Sequence, residues 1–223
     1  MSSFPTEFHY KNHNEEQSTQ ATYAENTSSK LVFKSMVTGH SVTFKAFLTE
    51  YSQRMDTTWN TEQVFGRMDP LATFQGTKRS ISLGWTIPAG FLAEAKNNAL
   101  MINGLVAMLY PGYSKNNVEV DGTNITTASS IAKPPLIKIK FANLITSSGG
   151  KSEDGLLGYV DGFSINPDLE MGLLIEDKKQ YFKVINISCN FNVLHQHDVG
   201  FDNEGNWLDG EGYKDWIFGD SDE

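Results

Sequence analysis

The residues best suited to chemistry lie near one end of the chain. His195-Gln196-His197-Asp198 sets two imidazoles two residues apart, and on an extended strand both would point to one face, where they could hold one metal ion. Such a site needs a third and a fourth ligand, which the sequence does not locate. Histidines where a strand meets a polar tail are ordinarily solvated or hydrogen bonded to backbone. Asp202-Asn203-Glu204-Gly205-Asn206-Trp207-Leu208-Asp209 begins with alternating oxygen ligands, as calcium loops do. It has Trp207 where such a loop needs glycine and Tyr213 where it needs a bidentate glutamate, so a plain turn is expected. Glu153-Asp154 and Glu176-Asp177 sit in turn-like polar surroundings that keep carboxylates solvated rather than tuned for proton transfer. There is no nucleophile elbow and no glycine loop to cradle phosphate. The expectation is a protein that is not an enzyme, without cofactor or metal, His195, His197 and Asp198 being only weak ligand candidates.

The elements that would position these residues are mostly strands. Val42, Phe44, Ala46 and Leu48 alternate with polar positions, as do Ile81, Leu83, Trp85 and Ile87. In the same way Ile185, Ile187, Cys189, Phe191 and Val193 alternate with Asn186, Ser188, Asn190 and Asn192. This period of two marks half-buried strands, and it places Cys189 in the core as a small hydrophobe. Shorter strands are expected at 31–36, 64–67, 136–141, 156–165 and 173–176, with exposed loops at 122–130 and 147–155. One segment has the other period. Phe91, Ala95, Ala99, Ile102, Leu105, Val106 and Leu109 recur at steps of three and four, which predicts a helix over 91–109. Pro88 and Gly90 precede it and Tyr110-Pro111-Gly112 stops it. Many strands with one amphipathic helix imply a mainly β fold, a sandwich or barrel with a helix on its flank. Parallel βα alternation and internal repeats are both missing from the pattern.

Charge divides the chain. Its 223 residues carry a formal net charge of −9. Residues 195–223 hold nine acids and only Lys214 as a base, so −8 belongs to that stretch and −1 to the 194 residues before it. Aromatic rings (Phe201, Trp207, Tyr213, Trp216, Phe218) are interleaved with those acids. A purely solvating acidic tail would be poor in rings, so the segment is expected to pack them on its own body or on a neighbour. Residues 12–30 are polar, with Tyr23 the only sizeable apolar group, and read as an arm that cannot order itself by burial. The division expected is therefore an arm over 1–30, a β domain over 31–198 and an acidic aromatic tail over 199–223. Without clustered Lys and Arg the chain is not built to clamp nucleic acid or an anionic membrane. The single cysteine excludes an internal disulfide framework. The first residues lack the basic and apolar regions of a secretion signal, and no run approaches a membrane span, so synthesis in a reducing cytoplasm is expected.

The most specific segment runs from Val64 to Ala89: Val64-Phe65-Gly66-Arg67-Met68-Asp69-Pro70, then Phe74-Gln75-Gly76-Thr77-Lys78-Arg79, then the alternating strand into the helix. The helix ends in Leu109-Tyr110-Pro111-Gly112-Tyr113. Pro134-Pro135-Leu136, Gly158-Tyr159-Val160-Asp161 through Asn166-Pro167 to Glu170, Tyr181-Phe182-Lys183-Val184 and Leu194-His195 follow in order. In this order of motifs, over about 31–198, the chain resembles the baseplate tail-tube initiator and tube-cap proteins of contractile-tailed bacteriophages.

That resemblance implies two packed antiparallel sheets closing into a barrel with one flanking helix. Six copies would form a ring, a homo-hexamer, that caps the baseplate hub and starts tail-tube polymerisation. Its lumen would pass the tape-measure protein and then DNA, without binding DNA specifically. The neighbours would be hub and tube proteins, the location the virion tail, and no membrane would be involved. Arg67, Asp69 and Arg79 carry the family signal and, with Trp207, Tyr213 and Trp216 of the tail, are the expected intersubunit residues. Asp69-Pro70 as an ordinary turn and Arg79 as a solvated strand-end charge are the plainer alternatives. The N-terminal arm and the acidic tail have no counterpart in the family pattern, which leaves open another tube-fold station, the tube itself or its terminator. From a different class, a β-sandwich that binds glycans would stack sugars on Trp207, Tyr213 and Trp216.

Overall fold

The computed structural model describes residues 7–8, 30–45, 47–114, 117–120, 123–126, 130–142, 144–145, 155–196 and 198–208. The chain is mainly β with one described helix. In order the elements are β1 (Glu7–Phe8), β2 (Lys30–Ser35), β3 (Ser41–Lys45), β4 (Phe47–Glu62), β5 (Leu71–Pro88) and α1 (Leu92–Met108). There follow β6 (Gly112–Ser114), β7 (Asn117–Val120), β8 (Thr123–Thr126), β9 (Ser130–Lys133), β10 (Ile137–Phe141) and β11 (Leu156–Pro167). The last are β12 (Leu173–Glu176), β13 (Lys179–Phe182), β14 (Val184–Val193), β15 (Gly200–Phe201) and β16 (Trp207–Leu208).

Eight strands form one sheet in the order β1-β3-β2-β10-β11-β14-β5-β4. All its pairs are antiparallel except β1 with β3, which run parallel through Glu7↔Ser41 and Phe8↔Val42. Four two-stranded sheets, β6-β9, β7-β8, β12-β13 and β15-β16, accompany it among the described residues.

The alternation seen in the sequence decides which face is buried. Leu31 and Phe33 of β2, Val42 and Phe44 of β3, Ile81 to Ile87 of β5, Ile137 to Phe141 of β10 and Ile185 to Val193 of β14 all turn inward into one core. That sheet cannot be flat. β3 and β5 stand five places apart, which in a flat sheet is about 24 Å, yet the rings of Phe44 and Trp85 lie 5.9 Å apart and Phe33 and Trp85 5.6 Å apart. The sheet therefore curls until its two halves face one another across these rings, as right-handed strand twist favours. It stays open, because β1 and β4 remain separate edges. The expected sandwich-like layering is present and barrel closure is not. The long β4 runs away from the body rather than across to the opposite edge.

Helix α1 covers the open side with Ala95, Met101, Ile102, Leu105 and Met108. Its start is fixed to the end of β5 by two side chains. The Glu94 carboxylate accepts from the Gly90 backbone N–H at 2.8 Å, and the Asn98 amide donates to the Pro88 carbonyl at 3.2 Å. Both bonds go to backbone groups of the junction between β5 and the helix, ahead of the N-cap residue Phe91, whose own side chain makes no cap. Two described glycines are packing necessities: a Cβ on Gly158 would lie 2.1 Å from the Asn192 carbonyl oxygen and 2.6 Å from the Phe191 ring, and one on Gly155 would lie 2.5 Å from the Ile139 carbonyl oxygen.

Three sequence readings need correction. The expected strand at 64–67 is the turn joining β4 and β5; β3 and β4 are two strands, not one run of alternation; and part of the expected loop at 122–130 lies in β8 and β9. Most of 147–155, most of the 1–30 arm and residues 209–223 of the tail lie outside the described residues. Among the described residues no helix is long and apolar enough to cross a membrane.

Candidate assembly surface

The family-like segment forms a hairpin that outgrows the body. β14 pairs with β5 from Val184↔Pro88 only as far as Asn192↔Ser80, whereas β4 pairs with β5 from Phe47↔Thr86 to Glu62↔Leu71. Beyond Ser80 no further strand lies beside the hairpin among the described residues. At about 3.3 Å per residue, residues 71–79 carry this two-stranded ribbon about 30 Å outward.

The ribbon is not merely polar. Trp59 and Phe74 are directly opposed across it, with ring centroids 5.2 Å apart in an edge-to-face arrangement, and both remain about half exposed. At the tip, the Arg67 N–H donates to the Val64 carbonyl at 3.2 Å and the Gln63 amide donates to the Arg67 carbonyl at 2.9 Å. Gly66, at φ +86°, occupies the left-handed position that this turn requires. The turn thrusts Phe65 and Met68 wholly into solvent, at 105% and 96% exposure, beside exposed Val64 and Leu71. A hairpin would not evolve to present two such side chains to water for its own stability; an apolar cluster of this kind marks a contact surface.

The expected interface charges divide between the two ends of this hairpin. Arg67 and Asp69 are exposed at the tip turn. Arg79 sits at the neck, on the face of β5 that continues into Ile81 and Leu83. There its guanidinium donates twice to the Gln53 side-chain oxygen, at 3.2 and 2.9 Å. Gln53 in turn bonds Tyr51, whose hydroxyl donates to the Leu144 carbonyl at 3.1 Å. Burial lowers the Arg79 pKa from its ordinary value, while the guanidinium stays charged. The structure thus separates Arg79 from Arg67 and Asp69 by the length of the ribbon and engages it within its own chain.

The tail candidates are only partly described. Trp207 lies in β16, opposite Phe201 of β15, while Tyr213, Trp216 and His197 lie outside the described residues. His195 and Asp198 are exposed, and among the described residues no three His, Cys, Asp or Glu side chains gather as metal ligands would. The loop that began like a calcium site is a turn built on one carboxylate. Asp202 accepts from the Asn206 side-chain amide at 3.0 Å and from the backbone N–H groups of Glu204 and Asn206 at 2.8 and 2.7 Å. These donors, the Asn206 amide foremost, hold its pKa below the ordinary carboxylate value.

A second surface has a different character. The outward face of β5 and β14, with Ser164 and Asn166 of β11, carries hydroxyls and carboxamides that bond one another across the strands, while Tyr159 and Asp161 of β11 are also exposed. Ser82 donates to Asn190 at 2.9 Å, Thr86 donates to Asn186 at 2.7 Å, and Ser164 and Ser188 share a bond at 2.7 Å. β14 contributes no ionisable side chain to this face.

Sequence reasoning missed the ribbon because Val64-Phe65 looks like strand core. A usable signal was present: two long polar stretches, 52–62 and 71–80, flank Gly66 and Pro70 symmetrically, as the legs of a hairpin do.

No family model and no curated protein matches the chain. Among solved structures it is similar to the Dit protein of phage SPP1, described as a paradigm of the hub adsorption apparatus in phages that infect Gram-positive bacteria. That match has a TM-score of 0.37 and 8% sequence identity, and it covers 73% of this chain and 49% of that one. The chain thus spans about half the length of the Dit protein.

Proposed function

We propose that this chain is a structural component of a phage tail, a baseplate subunit that assembles as a hexameric ring, caps the hub and initiates tail-tube polymerisation. The observation that carries this reading is the projecting ribbon with Phe65 and Met68 at its tip. A side chain wholly exposed at the end of an arm about 30 Å long gains nothing from its own fold and much from a pocket on a neighbour. In head-to-tail closure one patch meets a different one, which suits an arm inserting into an adjoining body. Arg67 and Asp69 flank that tip and would pair with the neighbour at its rim.

The Ser-, Thr- and Asn-rich face of β5 and β14, continued by Ser164 and Asn166 of β11, is the candidate lumen wall. DNA is held by proteins mainly through cations, so a wall of Ser, Thr and Asn lets it and a tape-measure protein pass without sticking. The location that follows is the virion tail, next to hub and tube proteins.

The test is mass by light scattering together with negative-stain imaging, alone and after mixing with hub proteins of the same particle. Rings near six chains that disappear in Phe65→Ser/Met68→Ser support the proposal. A monomer that stays monomeric with every hub and tube protein, or one that shifts tryptophan fluorescence on a glycan panel, overturns it.

A further inference from the structure

The body has an exposed apolar cluster of its own, at the pole opposite the ribbon. β11 ends at Pro167, opposite Ile185, and β14 begins at Val184, opposite Pro88 of β5. Between β11 and β12 the chain makes a tight loop at that end. The Asp168 N–H donates to the Val184 carbonyl at 3.0 Å, and the Asp168 carboxylate accepts from the Glu170 N–H at 3.0 Å. The Gly172 N–H donates to the Leu169 carbonyl at 3.2 Å, with Gly172 in the left-handed region at φ +83°. These bonds hold the loop in place, yet it leaves Leu169 and Met171 69% and 58% exposed. As at the ribbon tip, two large apolar side chains on an ordered turn gain nothing from their own fold.

The two clusters match in charge as well as in apolar content. At the tip, the cation Arg67 stands between Phe65 and Met68, and the anion Asp69 follows Met68. On the loop, the anion Glu170 stands between Leu169 and Met171, and the Lys183 ammonium lies beside Gly172, where a Cβ would be 3.8 Å from it. The signs are reversed from one cluster to the other. Among the described residues no hydrogen bond or ion pair engages the charged end of any of these four side chains. Tyr113 and Ile131, an exposed pair opposed across β6 and β9, have Lys133 beside them and no acid on either strand, so they offer Arg67 no partner. Nor can the tip meet the loop of its own chain. The tip leaves from the Leu71 end of β5 and the loop lies at the Pro88 end, and the 18 residues of that strand span about 55 Å.

We infer that the ribbon tip of one copy docks on the 168–172 loop of the next, Phe65 and Met68 packing on Leu169 and Met171 while Arg67 pairs with Glu170 and Asp69 with Lys183. Because the two patches lie at opposite poles, the contact is heterologous. Every copy offers one tip and one loop, and copies add head to tail until rotation closes a ring. This rests on the ribbon being an assembly arm, as proposed above, and adds the surface that receives it.

The experiment mixes two variants of the full chain. Phe65→Ser/Met68→Ser removes the tip and Leu169→Ser/Met171→Ser removes its receiver; all four side chains are exposed, so both variants should unfold in urea like the native chain. By light scattering each alone is expected to stay a monomer. An equal mixture should form a dimer and nothing larger, since each pair holds one intact tip and one intact loop. Arg67→Glu and Glu170→Arg should each weaken association about tenfold, and the two in one chain should restore it. Cross-linking catches a weaker contact. Met68→Cys and Met171→Cys chains treated with a short bismaleimide should join when mixed and not when either is alone. Ile131→Cys should link to neither, and buried Cys189 should give no background. A loop variant that assembles like the native chain while the tip variant does not, or a tip that links to Ile131→Cys instead, overturns the inference and leaves the ribbon its role with another receiver. Absence of any link between Met68→Cys and Met171→Cys chains overturns it too. The proposed function falls only when the native chain also fails to bind every hub and tube protein.

Discussion

The root and the tip of the β4-β5 hairpin are made of the same two strands and opposite environments. At the root, Ile81, Leu83 and Trp85 are buried between the curled halves of the sheet, with β14 on the other side of β5. Towards the tip the same ladder carries half-exposed Trp59 and Phe74, and the turn beyond it holds Phe65 and Met68 in water. Pairing of the same two strands, carried through register shifts at Leu48/Glu50 and Thr58/Trp59, therefore does not separate fold from interface. What separates them is whether a third strand and a facing layer are there to cover the side chains. The root belongs to the folding of one chain, and the tip to its association with another.

Substitutions should divide along that line. Trp85→Ala empties the centre of the aromatic cluster and is expected to cost about 3–5 kcal/mol in urea unfolding, the usual range for a buried ring. Trp85→Phe should cost clearly less, because the buried indole N–H has no acceptor among the described residues, and deleting it removes that penalty.

The second effect is one of pH. Cys189 is opposite Leu83 of the root, and burial pushes its thiol up to about 12 from the ordinary 9.0. A thiol pKa raised in the folded state favours folding fully below pH 9 and progressively less as pH rises towards 12. Stability measured over that window should fall more steeply for the native chain than for Cys189→Ala. At pH 8 the thiol should resist alkylation until the root unfolds.

At the neck, Arg79→Ala leaves the Gln53 oxygen without its two donors and should cost about 1 kcal/mol, with little effect on ring mass if Arg79 serves only its own chain. On the ribbon, a double-mutant cycle of Trp59→Ala and Phe74→Ala should give a coupling of about 0.5–1.5 kcal/mol. The smallest change in stability belongs to the tip. Phe65→Ser with Met68→Ser should shift unfolding by less than about 0.5 kcal/mol while abolishing assembly. If these two substitutions unfolded the chain instead, the contrast between root and tip would be lost.

Much of the root was legible from residue types alone. Alternation over 81–87 and 185–193 identifies strands, burial side and the place of Cys189, because period two leaves one face to be dried. The spacing of Ala95, Ile102 and Leu105, with Pro111 beyond, bounds α1 to within a residue of where it lies. The ribbon was not legible in this way. Its residues follow no hydrophobic period because neither face is dried, so Val64-Phe65 was indistinguishable from a short buried strand. Arg67, Asp69 and Arg79 likewise looked like one charged group in sequence, and the hairpin puts them at opposite ends.

Local sequence determined the β character of the chain, the single long helix, the inward residues and the concentration of acid beyond His195. Tertiary structure alone decided that the sheet curls without closing, that β4 and β5 outrun β14, and that Ser, Thr and Asn of β5 and β14 meet on one face. The physical reason is that inward and outward are settled by near neighbours along a strand. Which outward residues come together depends on strand order and register, set by contacts among residues far apart in the chain.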